Sequence, residues 1–186
     1  MVAALALLLA AAFGAADQYL GSLPGAHVWA AHIAWATDVS LLSAPWLLVP
    51  FLAGYTQREP RRAAVLGLAC TLSALTGYAL MTLSPVEHAE LTLRSLGGFA
   101  WSSDRVLVGA LFTGPLFGWL GHRWRVERDW IAPLVVAGAF CLEPLAHVAV
   151  GQAIRFRSVW VAEVCVGLAM VLYVVLANRT GRARAV

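Results

Sequence analysis

Three residues have the types and the spacing to do chemistry together: Glu143, His147 and Glu163. Glu143 and His147 are four apart, so on a helix they share one face. A carboxyl beside an imidazole can hold or pass a proton, or bind a polar ligand. Pro144, between them, has no N–H for the carbonyl of Phe140, which leaves a free acceptor and a kink beside the glutamate. Both glutamates interrupt apolar runs. A charged residue at the centre of a membrane helix costs about 2.5–3.5 kcal/mol on insertion scales, so such residues face a bundle interior or a wet cavity. The plainer use of the same groups is a hydrogen bond across two helices that fixes their register.

Other chemistry fits less well. Cys141 and Cys165 lie close to the glutamates in sequence. Residues two apart on a helix point about 200° apart, so neither thiol shares a metal site with its neighbouring glutamate. Cys70, Cys141 and Cys165 form no CxxC and read as buried free thiols. There is no HExxH, no GxSxG and no phosphate loop. We expect no catalytic set, no metal and no cofactor, and a protein that is not an enzyme.

The elements that must position these residues are membrane helices. Of 186 residues, 61% are hydrophobic and 12% charged, against roughly a quarter charged in a soluble domain. The mean hydropathy is +0.76. A soluble sphere of this size cannot hide that much apolar surface, which excludes a soluble enzyme, a secreted disulfide domain and a disordered chain. Six apolar segments stand out, near residues 2–20, 39–55, 63–83, 106–121, 130–150 and 159–177. Each is close to the roughly 20 residues that cross about 30 Å of hydrocarbon. The second and fourth are short and rich in Pro and Gly, so they are either extended by flanking polar residues or kinked. The expected fold is all-α: one integral membrane domain over 1–186, a bundle of about six transmembrane helices with short loops.

All 13 basic residues are arginine, and their distribution sets the orientation. With six spans, nine of the arginines share one side: Arg58, Arg61, Arg62, Arg123, Arg125, Arg128, Arg179, Arg182 and Arg184. Arg94, Arg105, Arg155 and Arg157 fall on the other. This bias places both termini in the cytoplasm of a multi-pass cell-membrane protein. Arginines in short loops between apolar runs argue against a nucleic-acid partner, in spite of the net charge of +3. Trp124 and Trp130 then mark the inner interface, and Trp101 and Trp160 the outer one. The first segment has a rival reading as a signal peptide cleaved after Ala16; in both cases Asp17 emerges on the outer side. The stretch 24–43, with His27, Trp29, His32 and Trp35, reads as an interfacial helix or as the tilted start of the second span.

Of the ten acids, Glu59, Glu127 and Asp129 fall inside. Asp17, Asp38, Glu87, Glu90, Asp104, Glu143 and Glu163 fall outside or in the outer half of a span. At 1.5 Å per residue, Glu143 sits about 5 Å and Glu163 about 7–8 Å above the midplane, on consecutive antiparallel helices. The candidate site is an outward-opening polar pocket of Glu143, His147 and Glu163, with Asp38, Arg105 and Arg155 as further ligand-binding candidates. The fourth segment holds Thr113-Gly114-Pro115-Leu116-Phe117-Gly118, a GxxxG read as tight internal packing before a dimer seam.

The most specific string is Ser43-Ala44-Pro45-Trp46-Leu47-Leu48-Val49-Pro50-Phe51-Leu52-Ala53-Gly54. With Gln18-Tyr19-Leu20 and Glu163-Val164-Cys165-Val166-Gly167, it resembles an uncharacterised family of small polytopic membrane proteins typical of high-GC actinobacteria, a domain of unknown function. The resemblance implies a fold and a location and no mechanism. In size and helix number the chain is also similar to substrate-binding subunits of energy-coupling-factor vitamin transporters, whose first helix docks through small residues; Ala4, Ala12 and Ala16 offer such spacing. The expected function is binding or transport of a small molecule or lipid. The alternatives are an accessory protein acting through helix contacts, as a homo-oligomer or with a membrane partner, and an energy-coupling-factor-type subunit.

Overall fold

The computed structural model describes residues 2–26, 34–84, 89–151 and 155–183. Among them there are eight helices and no strand. They are α1 (Val2–Ala26), α2 (Trp35–Ser40), α3 (Ala44–Tyr55), α4 (Pro60–Thr82), α5 (Leu93–Ser102), α6 (Asp104–Val126), α7 (Ile131–Ala149) and α8 (Arg157–Ala183). Four of these contain stretches long and apolar enough to cross a membrane: Val2–Leu23, Pro60–Thr82, Ile131–Ala149 and Arg157–Asn178. Large side chains such as Leu8, Phe112 and Tyr173 stand open on the outside of the bundle. Water would penalise so much exposed apolar surface, whereas lipid tails accept it.

One of the six apolar segments, the second, differs from expectation: it is broken. Its helix starts afresh at Ala44, with Ser43 at the N-cap and a proline in the first turn, the combination that opens helices. The resulting α3 has 12 residues, about 18 Å at 1.5 Å per residue, too short to span alone. The fourth is lengthened instead. Polar residues at both ends extend it to the 23-residue α6. The first helix continues past the end of its apolar segment near residue 20. It runs on to Ala26, with Asp17 buried. Of the stretch 24–43, α2 is a short helix packed on α1 that also touches α8. His27, Trp29 and His32 lie outside the described residues, as does Glu87.

Close backbone approach builds the core. A Cβ on Gly14 would lie 1.9 Å from the Ala74 carbonyl oxygen, so α1 and α4 meet backbone to backbone. Ser73 adds a 2.8 Å hydrogen bond to the Leu7 carbonyl. Gly114 and Gly118 of the GxxxG pack on α4, against Leu68 and Ala63, and Gly54 of α3 meets Gly118. The motif is an internal seam. Phe51, Phe117, Val136 and Phe140 then fill the space where α3, α6 and α7 converge. The last two long helices, α7 and α8, pack mainly on each other as a hairpin beside α1, α3, α4 and α6.

The loops after α3 and α6 share one end of the bundle. Arg125 donates to the carbonyls of Tyr55 and Thr56 at 3.0 and 2.7 Å, and Trp124 stacks on Phe51. Every acid at this end has an arginine: Glu59 pairs with Arg62, and Glu127 and Asp129 both pair with Arg123. The buried acids lie away from this end and have no such partners among the described residues.

Candidate functional site

Glu143 lies twelve residues beyond the start of α7, and the N-terminus of α3 lies one 12-residue helix above the same end. Both are therefore about 18 Å from the arginine-rich loops. The result is a carboxylate facing a helix N-terminus. The backbone N–H groups of Ser43 and Ala44 donate to the two Glu143 oxygens, the second at 2.6 Å. These are two of the N–H groups that a helix start leaves without an intrahelical acceptor. The helix dipole adds to the attraction. His147, one turn further along α7, brings Nε2 to 3.5 Å from the Glu143 carboxyl.

The imidazole leads on to α8. Its ring packs on Trp160 at 4.6 Å between centroids. The Trp160 indole N–H donates to Asp38 at 3.3 Å, and the same carboxyl oxygen accepts the Phe156 N–H at 2.8 Å. Phe156 immediately precedes α8, so Asp38 caps the start of α8 from α2. Two acids thus close two helix N-termini: Glu143 on α7 caps α3, and Asp38 on α2 caps α8. Each bond crosses between the α7–α8 hairpin and the rest of the bundle.

Glu163 is different. It is 3% exposed, and no N–H or O–H of the described residues donates to either of its oxygens. What it faces is the carboxyl of Glu143. Buried polar groups almost always have partners, and an unsatisfied one costs about 1–3 kcal/mol, more if charged.

The structure therefore brings together Glu143, His147, Glu163 and Asp38. It leaves out Arg105 and Arg155. Arg105 is exposed at the start of α6, where its backbone N–H meets the Asp104 side chain. Arg155 is exposed with its guanidinium over the Phe156 ring. The cost of taking a charge out of water favours such sites over a buried pair. Trp160, expected at the outer interface, is buried as the Asp38 donor, while Trp101 is 86% exposed. Its place three residues before Glu163 on α8 was the available signal. Cys165 is exposed, and of the three thiols only Cys70 is fully buried. The 200° offset accounts for this, since Glu163 takes the inward face. Among the described residues no group of three His, Cys, Asp or Glu side chains could hold a metal.

A cavity of about 390 Å³ lies on the other side of the α2–α3 junction, between α1, α4, α5 and α6. Ser43 belongs to its wall, while the Ser43 N–H is bound by Glu143. Asp17 also lines it, a residue expected on the outer side or in the outer half of a span.

The model of a family of unknown function, DUF6518, matches residues 1–186. No curated protein and no solved structure matches the chain.

Proposed function

The chain belongs to that family of unknown function, so its role rests on the site, and we propose that it is a multi-pass membrane protein that binds or transports a small molecule or lipid. In this reading α1, α4, α6, α7 and α8 cross the membrane, and the broken pair α2 and α3 makes the sixth passage. Both termini are cytoplasmic, because the arginine-rich end is the cytoplasmic one.

The observation that carries the proposal is Glu163: buried, without a donor among the described residues, and against the carboxyl of Glu143. Helix glue is built from satisfied hydrogen bonds. Two carboxyl groups in contact can bond each other only through a proton held between them. A group that gains or loses that proton, or meets a ligand's donor, alters the bond that Glu143 makes to the start of α3. The interruption between α2 and α3 supports the same reading. Discontinuous helices with a charged group at the half-helix terminus are how many transporters build a site inside the membrane. That is an argument from architecture, and it assigns no substrate.

Native mass spectrometry of the full chain in mild detergent tests the proposal. The expected result is a defined small-molecule or lipid mass on the wild type that is lost from folded Glu163→Gln. The same mass, retained in full by both Glu163→Gln and Glu143→Gln, overturns it. The accessory reading has one observation of its own: Ala4, Ala12 and Ala16 are exposed on α1, open to a partner helix as in an energy-coupling-factor-type subunit. A bare chain carrying only a protein partner favours that alternative.

A further inference from the structure

The cavity behind the α2–α3 junction has a chemistry of its own. Its volume, about 390 Å³, falls in the roughly 300–1,000 Å³ range of small-molecule sites. Among the described residues Asp17 is the one charged residue in its wall. The carboxyl is 9% exposed, within hydrogen-bonding reach of the Trp46 indole, and has no ion-pair partner among the described residues. Around it run three aromatic rings in sequence. Trp46 and Tyr78 meet edge to face with centroids 6.0 Å apart, and Tyr78 and Phe99 are 6.2 Å apart.

Three of the wall's hydroxyl groups sharpen the selection. Thr71 donates to the Gly67 carbonyl, Thr113 to Gly109 and Ser40 to Thr37. A hydroxyl has one proton and two lone pairs, so these three can only accept from a ligand. The Trp46 indole lies beside Asp17 in the wall. The cavity therefore offers acceptors and one carboxyl. These favour an occupant with donors or positive charge, and the rings favour an apolar body. Aromatic faces also attract cations directly. An anion would meet Asp17 with no arginine among the described wall residues to offset it.

We infer that this cavity is a binding site for a small organic monocation, a primary to quaternary amine with an apolar body, whose charge pairs with Asp17 and whose carbon skeleton lies against Trp46, Tyr78 and Phe99. The inference names a ligand class for a site apart from the Glu143–Glu163 pair and does not depend on that pair.

The test uses three probes of matched shape: 2-phenylethylammonium, 2-phenylethanol and phenylacetate. Each is titrated into the purified full chain in detergent and followed by calorimetry, with benzyltrimethylammonium as a quaternary probe. The expected result is saturable binding of the two cations, at least tenfold tighter than the alcohol, and no binding of the anion. Asp17→Asn, which keeps size and an acceptor for Trp46, should abolish that preference. Phe99→Ala, at a half-buried position, should weaken benzyltrimethylammonium about tenfold if Asp17→Asn does not fold. Glu163→Gln should leave all four titrations unchanged. That keeps failure here distinct from failure of the acid-pair reading. Equal affinity for the alcohol and the ammonium overturns the inference. So does an unaltered preference in folded Asp17→Asn, or the absence of saturable binding by either cation.

Discussion

Replacing Glu143 and Glu163 by glutamine, one at a time, should move stability in opposite directions. Glu143 accepts two backbone N–H groups at the start of α3. A glutamine keeps one oxygen for one of them and turns an NH2 group towards the other, so a donor faces a donor. The loss is one charge-assisted hydrogen bond, about 1.5–3 kcal/mol, plus a dipole contribution of about 0.3–1 kcal/mol. We expect Glu143→Gln to cost about 2–4 kcal/mol, which is roughly 5–15 °C in Tm for a domain of this size. Glu163 has no donor to lose among the described residues. Its amide would donate to the Glu143 carboxyl it already faces, a gain of about 0.5–1.5 kcal/mol. Glu163→Gln should therefore melt at the wild-type temperature or a few degrees above it. Thermal unfolding of both variants at neutral pH in one detergent, followed by circular dichroism, reads the contrast directly. A Glu163→Gln variant that loses as much as Glu143→Gln would refute the reasoning, because it would mean that Glu163 holds a donor in the folded protein.

Further outcomes follow from the same geometry. Asp38→Ala removes the acceptor for both the Phe156 N–H and the Trp160 indole; it should cost about 2–4 kcal/mol, while Trp160→Phe, which deletes only the longer bond, should cost less in the same melt. Gly54→Ala would drive a Cβ to 1.9 Å from the Gly118 carbonyl oxygen; we expect loss of folded protein on size exclusion, not a change from dimer to monomer. Arg105→Ala and Arg155→Ala should lie within about 0.5 kcal/mol of wild type, since neither side chain joins the acid cluster. In detergent, N-ethylmaleimide should label Cys165 quickly and Cys70 only after unfolding, as mass spectrometry of the labelled chain would report.

Much of the helical plan was legible because apolar runs of about 20 residues carry their own signal. The second segment was not, since hydropathy averages over the residues around Ser43 and does not register a helix that stops and restarts. The Ser43–Pro45 start signature was present, but it gains weight only when something caps the exposed N–H groups. That cap comes from about a hundred residues away. The burial of Asp17 was not legible for a related reason: an acid late in an apolar run looks like the end of a span until a neighbouring helix offers it a cavity and an indole.

The sequence by itself determined the helical class, the gathering of arginine in the loops after α3 and α6, and the shared face of Glu143 and His147. These follow from composition and from the 3.6-residue period, which act within a single segment. It also determined that Cys165 and Glu163 point apart. Tertiary structure alone decided which acids cap which helices, that Glu163 faces Glu143 without a donor among the described residues, and that Asp17 lines a cavity walled by aromatic rings. Those are contacts between distant segments. Their energies depend on how closely backbones approach at Gly14, Gly54 and Gly118, and that closeness depends on how whole helices pack.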